Sequence, residues 1–540
     1  MLGKQAIIEF FKKNKIRNVF HLPGIHTLPL DEALENQNNI KTFIGRHESG
    51  IISMADGYTR ASGNIGVVIV TPGPGLGNIV SGCMEAYGDD IPLMIIHTDT
   101  ERKKTGRGIL HELKEPENIF KHFTKKTFSI HDVGHITSTL TEAYCTALSG
   151  RKGPVVVSIP YVLFEKKVSA GLPVSLVLNV QKTGTTGIAK NRMKISRTIT
   201  DLEKILHGKK RVLMIGGKSL MLNNIQQTLE RICLGASIPF LATTGGKGIV
   251  REDSPYSFGN VMKKGVVRDM VASADLVIAV GTRLRDVDAK RRGVKIRELV
   301  HIDIDDQWIG KNYPTRLGIT GDLKEILDEL YRVLKGKKFE WDLSHLKDLM
   351  SDEEASLLKR SFACAVTKLL RETIPENTIT VCDLNTPSYW AEYYLPVYHQ
   401  NTFLMPRGIS PIFYSLPASI GAKIGRPDRP CLALCGDGGI LPAIGELATL
   451  KRYGIPVVVF VHNNNSFGIL EDAMIDRYNQ TGSMVLNSPD FVKLAQSFGI
   501  RAKRTKTLKG LRDILLRDIT WDEPYLIEFV QPVSPPPWKI

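Results

Sequence analysis

The sequence predicts an α/β protein with three doubly wound parallel-sheet domains. Short runs of β-branched residues, Gly-rich turns and amphipathic helical segments alternate along the 540 residues. This alternation is typical of parallel sheets with helical crossovers. At roughly 150 residues per domain, the length also fits about three domains. Hydrophobic residues make up 42% of the chain and charged residues 24%, so the domains can bury large cores.

The first domain is expected over residues 1–170. It opens with MLGKQAIIEFFKKNKI, an amphipathic helix whose lysines distinguish it from a signal peptide. Its predicted strands include IGVVIVT at 65–71, IPLMIIHT at 91–98 and GPVVVSIP at 153–160. A poorly patterned stretch at about 171–190, rich in Thr, Gly and Val, is expected to be a linker.

The second domain is expected over residues 190–335 and the third over 355–540. The second contains the predicted strands RVLMIGG, ADLVIAVGTRL and LVHIDID. A polar stretch at about 335–354 separates it from the third, whose predicted strands are TITVCD, PCLALCGDGG, IPVVVFVHNNN and PYLIEF. The chain closes with PVSPPPWKI, whose prolines forbid a helix or a central strand.

Charge and hydropathy argue against two classes of function. Lys and Arg total 71 against 56 Asp and Glu, a formal net charge of +15. The basic residues are scattered and not interleaved with aromatic residues, which favours a solvated surface over nucleic-acid binding. No stretch reaches 18 apolar residues without a charge, so no membrane span is expected. The seven Cys show no metal or disulfide framework and predict reduced thiols in a cytoplasmic protein.

One motif near the end of the chain carries chemistry. The apolar run CLALC leads into GDGG at 436–439, and the next predicted strand leads into NNNSFG at 463–468. Neighbouring parallel strands end at the same edge of a sheet, so Asp437 and Asn464 are expected where such sheets bind ligands. The Asp437 carboxylate, the Asn464 amide oxygen and the main-chain carbonyl of Ser466 are oxygen ligands that suit Mg²⁺.

The glycines of this motif predict phosphate contacts. Gly436, Gly438 and Gly439 allow backbone N–H groups to approach a phosphate. The helix expected to start near Ile440 points its positive end at the same place. With strands on both sides, G-D-G followed by about 24 residues and N-N resembles the signature that binds thiamine diphosphate.

The resemblance to thiamine-diphosphate-dependent enzymes extends over nearly the whole chain. It implies a pyrimidine-binding first domain, a central second domain and a diphosphate-binding third domain. It also implies active sites between the first domain of one subunit and the third domain of another, and therefore a homodimer or homotetramer. Within the Asn-rich loop, it adds Phe467 and Gly468 to the residues expected to bind the cofactor.

A second motif lies far upstream. IGRHESGIISMADGYTRASG at 44–63 resembles the segment of this family that carries the cofactor-activating glutamate, and Glu48 matches that position. A carboxyl group there would hydrogen-bond the aminopyrimidine ring and favour the imino tautomer, which takes the proton from the thiazolium carbon. By itself, Glu48 would be a helix cap or an ion-pair partner; the magnesium motif favours the catalytic interpretation.

Three further segments match the family pattern. VTPGPGLGN resembles the turn near the pyrimidine ring, and PRGISPIFYSLPASIGAKIG resembles the stretch whose bulky apolar residue props the cofactor in a bent shape. DLNTPSYW aligns with a loop that contacts the diphosphate. A bent cofactor brings its own amino group against the reacting carbon. Pro72 and Gly73 match in the turn near the pyrimidine ring, and Ile412 matches the bulky apolar residue. In the diphosphate loop the matching residues are Asn385, Thr386 and Ser388.

The best overall match is acetolactate synthase and its close relatives. These remove CO2 from a 2-oxo acid and either join the product to a second carbonyl or protonate it. The stretch SFGNVMKKG lacks the Gly-Met-His-Gly turn found near FAD in authentic acetolactate synthases, so FAD is left open. The Trp that grips the second substrate is also missing after NNNSFG. By contrast, LPGIHTLPLDEAL and TGRGILHELKEP resemble a branch that includes guanidino-2-oxopentanoate decarboxylases.

Three histidines are candidates for the substrate pocket. A histidine beside the reacting carbonyl could relay a proton or stabilise negative charge on oxygen. His111 and His26 are the main candidates and His47 is a weaker one. Each is also consistent with a purely structural role.

Two alternatives to a carboligase stay open. One is a decarboxylase that releases an aldehyde, which the missing Trp favours. The other is a non-catalytic homologue that binds the cofactor without turning over a substrate. The presence of Glu48, Asp437 and Asn464 together argues against that second alternative, because binding without catalysis does not require all three.

Overall fold

The computed structural model describes residues 1–168, 198–221, 225–480, 482 and 484–540. Within these ranges the strands form three separate sheets of six, and every pairing is parallel. The prediction of three parallel α/β sheets is therefore confirmed. The linker expected at 171–190 lies outside the described residues.

The first sheet has the strand order β2-β1-β3-β4-β6-β5. Its central strands are buried along their whole length, which explains their continuous Val and Ile runs. The strands are β1 (Asn18–His21), β2 (Lys41–Ile44), β3 (Gly66–Val70), β4 (Leu93–Asp99), β5 (Lys126–Ser129) and β6 (Val155–Pro160). The helices are α1 (Gly3–Lys13), α2 (Leu28–Glu35), α3 (Glu48–Ser62), α4 (Pro74–Asn78), α5 (Val80–Gly88), α6 (Pro116–Phe120) and α7 (Ile136–Leu148).

The second sheet has the order β12-β11-β10-β7-β8-β9. Its strands are β7 (Val212–Gly216), β8 (Phe240–Ala242), β9 (Ser257–Asn260), β10 (Leu276–Val280), β11 (Leu299–Asp303) and β12 (Leu317–Thr320). Its helices include α8 (Gln226–Ala236), α9 (Val266–Ser273) and α10 (Leu323–Leu334). The polar stretch expected to separate the second and third domains contributes part of a long helix, α11 (Leu343–Arg360).

The third sheet has the order β14-β13-β15-β16-β18-β17. Its strands are β13 (Ile379–Cys382), β14 (Phe403–Leu404), β15 (Cys431–Gly436), β16 (Val458–Asn463), β17 (Arg501–Thr505) and β18 (Tyr525–Val530). Its helices are α12 (Phe362–Thr373), α13 (Thr386–Tyr394), α14 (Ser415–Gly425), α15 (Asp437–Ile440), α16 (Glu446–Tyr453), α17 (Gly468–Tyr478), α18 (Phe491–Ser497) and α19 (Leu508–Asp513).

One predicted helix differs from the structure. The sequence placed a single helix from near Ile440 to the next strand, whereas the structure begins α15 at Asp437 and separates it from α16 by a tight turn at Leu441–Ala443. Pro442 lacks a backbone N–H, so it cannot contribute an interior helical hydrogen bond. The earlier start brings the amino end of α15 to the Asp437 carboxylate itself.

Each sheet has a topological switch point, where the connections that leave two neighbouring strands run in opposite directions across the sheet. These points lie between β1 and β3, between β7 and β10, and between β13 and β15. Loops diverge from the carboxyl ends of the strands there and leave a crevice, which is where open α/β sheets bind ligands. The fold therefore offers three candidate crevices.

Helix α3 of the first sheet packs across helix α14 of the third. The contact is close because a side chain at Gly57 would collide with the carbonyl oxygen of Ala418, and one at Gly421 would collide with that of Met54. Glycine is thus required at both positions by backbone contact. This crossing joins the two domains that the family resemblance assigns to the cofactor.

The cysteines and the apolar character of the helices concern two of the sequence predictions. All seven cysteines are free thiols. In the described ranges, we find no helix with the length and apolar character needed to cross a bilayer.

Candidate functional site

The crevice between β13 and β15 opens into a cavity of about 670 Å³. It collects most residues that the sequence analysis assigned to cofactor binding. Its lining comprises Leu384, Asn385, Thr386, Tyr389, Ile412, Gly436, Asp437, Gly438, Gly439, His462, Asn464, Ser466, Phe467, Gly468, Ile469 and Leu470. Two loops and the amino ends of α13, α15 and α17 thus converge on one space.

Asp437 is the charged group of the cavity. It follows β15 directly, and its side chain is almost completely buried. Its Oδ2 accepts a hydrogen bond of 2.9 Å from the Ser488 hydroxyl. Burial raises the pKa of the Asp437 carboxyl, while the Ser488 bond and nearby backbone N–H groups oppose that shift. A cation at this carboxylate would relieve the cost of burying its charge.

Asn464 and Ser466 lie beside Asp437 on the loop after β16. The Asn464 Oδ1 accepts from the Ser466 backbone N–H at 3.1 Å, which makes a tight turn. The buried Ser466 hydroxyl has no hydrogen-bond partner among the described residues. Residues 484–488 hold the loop through backbone bonds at Asn465 and Phe467.

The donor set fits a magnesium ion that also binds a diphosphate. Asp437, Asn464 and Ser466 supply a carboxylate, an amide oxygen and hydroxyl or carbonyl oxygens, all hard ligands. The described ranges contain no group of three or more His, Cys, Asp or Glu suited to a metal. A site with one carboxylate is consistent with this, because Mg²⁺ is usually held by one or two carboxylates plus phosphate oxygens.

Two of the three glycines around Asp437 lie where a side chain would be too close to its neighbours. A side chain at Gly438 would press on the Phe467 ring, and one at Gly439 would lie 2.8 Å from Asp383 Oδ2. None of them needs a positive φ. Their small size therefore leaves the backbone of α15 open to the cavity.

The loop after β13 differs in detail from its expected role. The Asn385 side chain caps α13 by accepting from Ser388 N at 3.0 Å, and its amide donates to Leu434 O. The Thr386 hydroxyl donates to Ser534 O at 3.4 Å. Ser388 is fully buried and lies outside the cavity lining. Asn385 and Thr386 thus line the cavity, while Ser388 supports the loop from within.

Beneath this loop lies Asp383, which sequence reasoning missed. It is buried, its Oδ1 accepts from Leu384 N at 2.9 Å, and burial raises its carboxyl pKa to about 7. The backbone N–H groups of Phe413 and Ser415 partly oppose this rise in pKa. The Asp383 carboxyl therefore lies near both the loop after β13 and the segment that carries Ile412.

Ile412 faces the cavity and is 43% exposed. That position agrees with its predicted role of propping a bent cofactor. The apolar wall continues through Ile469 and Leu470 at the start of α17, which the sequence analysis did not identify. His462, at the end of β16, also lines the cavity, and burial lowers its pKa to about 4. The sequence signal that could have identified His462 is its position at the end of a predicted strand.

A second group of predicted residues lies at the crevice of the first sheet. His26 follows β1, Pro72 and Gly73 follow β3, and His111 follows β4. Gly73 has a positive φ of 63°, and a side chain on it would lie 3.0 Å from the His111 Cβ. The rings of His26 and His111 are 5.5 Å apart. The structure therefore brings both main histidine candidates together beside the predicted turn.

Of the two imidazoles, His26 is buried and His111 is partly exposed. Burial, and then the neighbouring His111, lowers the pKa of His26. The Nδ1 atoms of His26 and His111 have no hydrogen-bond partner in the described structure. Both nitrogens are therefore enclosed by protein without a hydrogen-bond partner among the described residues, which is uncommon for buried polar atoms. His47 differs, because its exposed ring accepts from Ser49 N at 3.2 Å and caps α3.

Glu48 begins α3 and is mostly buried. Its Oε2 accepts a hydrogen bond of 2.9 Å from the Asn78 amide, at the end of α4. It does not belong to the lining of the cavity that contains Asp437. As far as the described residues go, that lining contains no side chain from the first domain.

The crevice of the second sheet is the candidate binding place for a flavin. Lys218 crosses it to pair with Asp89 of the first domain at 3.0 Å, and Arg283 lies 3.8 Å from the same carboxylate. Thr282 and Arg60 complete this part of the lining. A dinucleotide placed there would separate buried ion pairs, which is strongly destabilising. The residues of this crevice therefore do not fit FAD.

Comparison with known families covers most of the chain. The N-terminal TPP binding domain of thiamine pyrophosphate enzymes matches residues 1–119. The central domain of the same enzymes matches 199–330, and their C-terminal TPP binding domain matches 383–529.

Named relatives match over nearly their full length. A probable acetolactate synthase large subunit of Methanocaldococcus jannaschii is 30% identical, over 98% of this chain and 92% of the relative. The acetolactate synthase large subunit of Lactococcus lactis is 29% identical, over 97% and 92%. A probable 2-ketoarginine decarboxylase AruI of Pseudomonas aeruginosa is 28% identical, over 94% and 90%.

Proposed function

The chain belongs to the thiamine pyrophosphate enzyme family, and from this premise we propose that it uses thiamine diphosphate and Mg²⁺ to decarboxylate a 2-oxo acid and join the remaining acyl group to a second carbonyl. The observation that carries the proposal is the cavity between β13 and β15. It supports the proposal because Asp437, Asn464, Ser466 and the apolar side chain of Ile412 all belong to its lining.

Different residues of the third domain would bind the metal ion, the diphosphate and the rings of the cofactor. Asp437, Asn464 and Ser466 would hold Mg²⁺ and, through it, the diphosphate. The open backbone of α15 would donate N–H groups to the phosphate oxygens. Ile412 and Leu470, which both line the cavity, would contact the rings of the cofactor. When bound, thiamine diphosphate supplies the nucleophilic carbon that attacks the 2-oxo group.

Glu48 would handle the proton that activates the cofactor. A carboxyl group holds or releases a proton at the pyrimidine ring nitrogen, and general acid–base catalysis of this kind depends on direct contact. Because Glu48 lies outside the cavity of its own chain, we assign it to the cavity of a second copy. The active protein would then be a homodimer or a homotetramer.

His26 and His111 would contact the substrate. Burial lowers the pKa of His26, so its imidazole is neutral at pH 7 and can donate or accept a proton. The adjoining rings of His26 and His111 would together supply hydrogen-bonding groups for the oxygens of a 2-oxo acid. The first domain would thus supply both the activating carboxyl and the groups that orient the substrate.

One sequence feature favours a second candidate, a decarboxylase that protonates the product and releases an aldehyde. The segment that forms α17 reads GILEDAMIDRY and contains no Trp to grip a second carbonyl compound. The relative named 2-ketoarginine decarboxylase supports the same alternative. Substrates with a cationic side chain should therefore be tested beside pyruvate.

The deciding experiment is product identification by NMR. The purified protein is incubated with thiamine diphosphate, Mg²⁺ and either pyruvate or 5-guanidino-2-oxopentanoate. Acetolactate or acetoin from pyruvate would support the carboligase. An aldehyde as the sole product of either acid would support the decarboxylase. Loss of neither acid, with cofactor binding intact, would contradict the proposed function for these substrates.

A further inference from the structure

Two buried glutamates cross the boundary between the first and third domains in opposite directions. Glu446 belongs to α16 of the third domain and bonds to the first domain. Glu85 belongs to α5 of the first domain and bonds to the third. Each side chain is about 1% exposed. Each accepts consecutive backbone N–H groups from the opposite domain.

Glu446 holds the turn that precedes Glu48. Its Oε1 accepts from Arg46 N at 2.9 Å and from His47 N at 3.3 Å. Its Oε2 accepts from the Thr449 hydroxyl at 2.6 Å, which orients the carboxylate. A side chain at Gly50 would collide with the same carboxylate, so the glutamate lies directly against the start of α3.

Glu85 holds the loop that precedes Ile412. Its carboxylate accepts from the N–H groups of Gly408, Ile409 and Ser410 at 3.0, 2.8 and 2.9 Å. Arg60 donates to the same carboxylate at 3.1 Å, and it also pairs with Asp56 and Asp89. Glu85 is thus fully bonded although it is buried.

The loop held by Glu85 is strained. Ser410 has a φ of 59° and Phe413 a φ of 76°, and these two residues flank the segment that carries Ile412. Positive φ is uncommon for residues with a Cβ, and it persists when surrounding contacts over-determine the backbone. Three hydrogen bonds to one buried carboxylate provide such contacts.

We propose that Glu446 and Glu85 are positioning residues for the catalytic elements of the opposite domain. Glu446 fixes the backbone from which Glu48 reaches a cofactor, and Glu85 fixes the loop from which Ile412 supports one. This inference rests on the proposed function. A carboxylate is suited to the task because both its oxygens accept and its negative charge strengthens each bond. An amide lacks that charge, and at Glu85 it would also turn an N–H group toward backbone N–H groups.

The first test needs no cofactor. Hydrogen–deuterium exchange is measured by mass spectrometry on the protein alone, comparing wild type with E446Q and E85Q. We expect amide exchange to rise about tenfold at 46–47 in E446Q and at 408–410 in E85Q, because the loss of a bonded carboxylate raises local opening. D275N is the matched control, since Asp275 accepts from Lys210 N and Arg211 N within the central domain.

The second test separates positioning from binding. Thiamine diphosphate affinity is measured by calorimetry with Mg²⁺, and proton–deuterium exchange at the thiazolium carbon of the bound cofactor is followed by NMR. We expect E446Q and E85Q to keep affinity within about threefold of wild type and to slow this exchange by about tenfold or more, because a small displacement of a catalytic group is costly. D275N should match wild type in both.

The outcomes distinguish this inference from the proposed function. If wild type fails to bind thiamine diphosphate, the proposed function fails, while the amide-exchange test still decides the contacts. If wild type binds and exchanges but both variants exchange at its rate, the positioning role is overturned. Unchanged amide exchange at 46–47 and 408–410 would overturn it as well.

Discussion

At the scale of single residues, the candidate chemistry is divided between two carboxyl groups in different surroundings. Asp437 lies in the cavity of the third sheet, and Ser488 is its side-chain hydrogen-bond partner. Glu48 lies at the head of α3 and bonds to Asn78. The first environment suits a metal ion, and in the proposed dimer the second would present a carboxyl group to the cavity of the other copy. Their replacement should therefore affect different measurements.

We expect Asp437→Asn to weaken the apparent affinity for Mg²⁺ and thiamine diphosphate by about 10–100-fold, because an amide lacks the charge that the cation requires. Glu48→Gln should leave that affinity nearly unchanged and lower turnover by about 100-fold or more, since it removes a proton-transfer group. Calorimetric titration and steady-state kinetics measure the two effects. Equal losses of affinity for Mg²⁺ and thiamine diphosphate in the two variants would contradict this separation of metal binding from proton transfer.

Sequence reasoning identified residues of the cavity where a motif ties chemistry to spacing. Asp437, Asn464 and Ile412 all line it. Sequence reasoning did not identify Leu470 or His462. One apolar residue in a helix, or one histidine at the end of a strand, does not form a local pattern that predicts a cavity. Whether such a residue faces a cavity depends on neighbouring segments that are distant in the chain.

At the scale of elements, the crossing of α3 and α14 sets how the first and third domains meet. The two helices approach until Gly57 and Gly421 touch backbone of the opposite helix. The same α3 carries Glu48 at its start and Arg60, a partner of Glu85, near its end. One helix therefore links Glu48 to the residue that bonds Glu85, and through it to the loop before Ile412.

Gly421→Ala tests this crossing. The added methyl group collides with the Met54 carbonyl, so we expect a loss of about 3 kcal/mol in the free energy of unfolding, typical of severe overpacking. Gly235→Ala is the control, because Gly235 is helical and open space surrounds it. There alanine should stabilise by up to about 1 kcal/mol. Urea unfolding measures both, and equal midpoints would rule out the close crossing.

At the scale of the whole molecule, the cavity and Glu48 do not meet within one chain. The lining of the cavity draws on the third domain alone, as far as the described residues extend. The exposed apolar side chains include Ile25, Leu28 and Leu110 near the histidine group and Leu470 near the cavity. Apolar surfaces beside both half-sites are suited to burial between two copies.

Subunit complementation tests this arrangement. Glu48→Gln and Asp437→Asn chains are co-expressed with different tags, and the mixed dimer is purified. If sites form between chains, one of the two sites in a mixed dimer has both native residues, so activity should be about half that of wild type. Each variant alone provides the baseline. A mixed dimer as inactive as its parents would contradict a shared site.

The sequence by itself determined the α/β class, the three parallel sheets and the grouping of Asp437 with Asn464. These follow from short-range periodicity and from the common edge at which parallel strands end. The tertiary structure decided that Ser388 is internal, that His26 and His111 adjoin, and that Glu446 and Glu85 bond across domains. These contacts join segments far apart in the chain, and their formation depends on how whole domains pack rather than on local pattern.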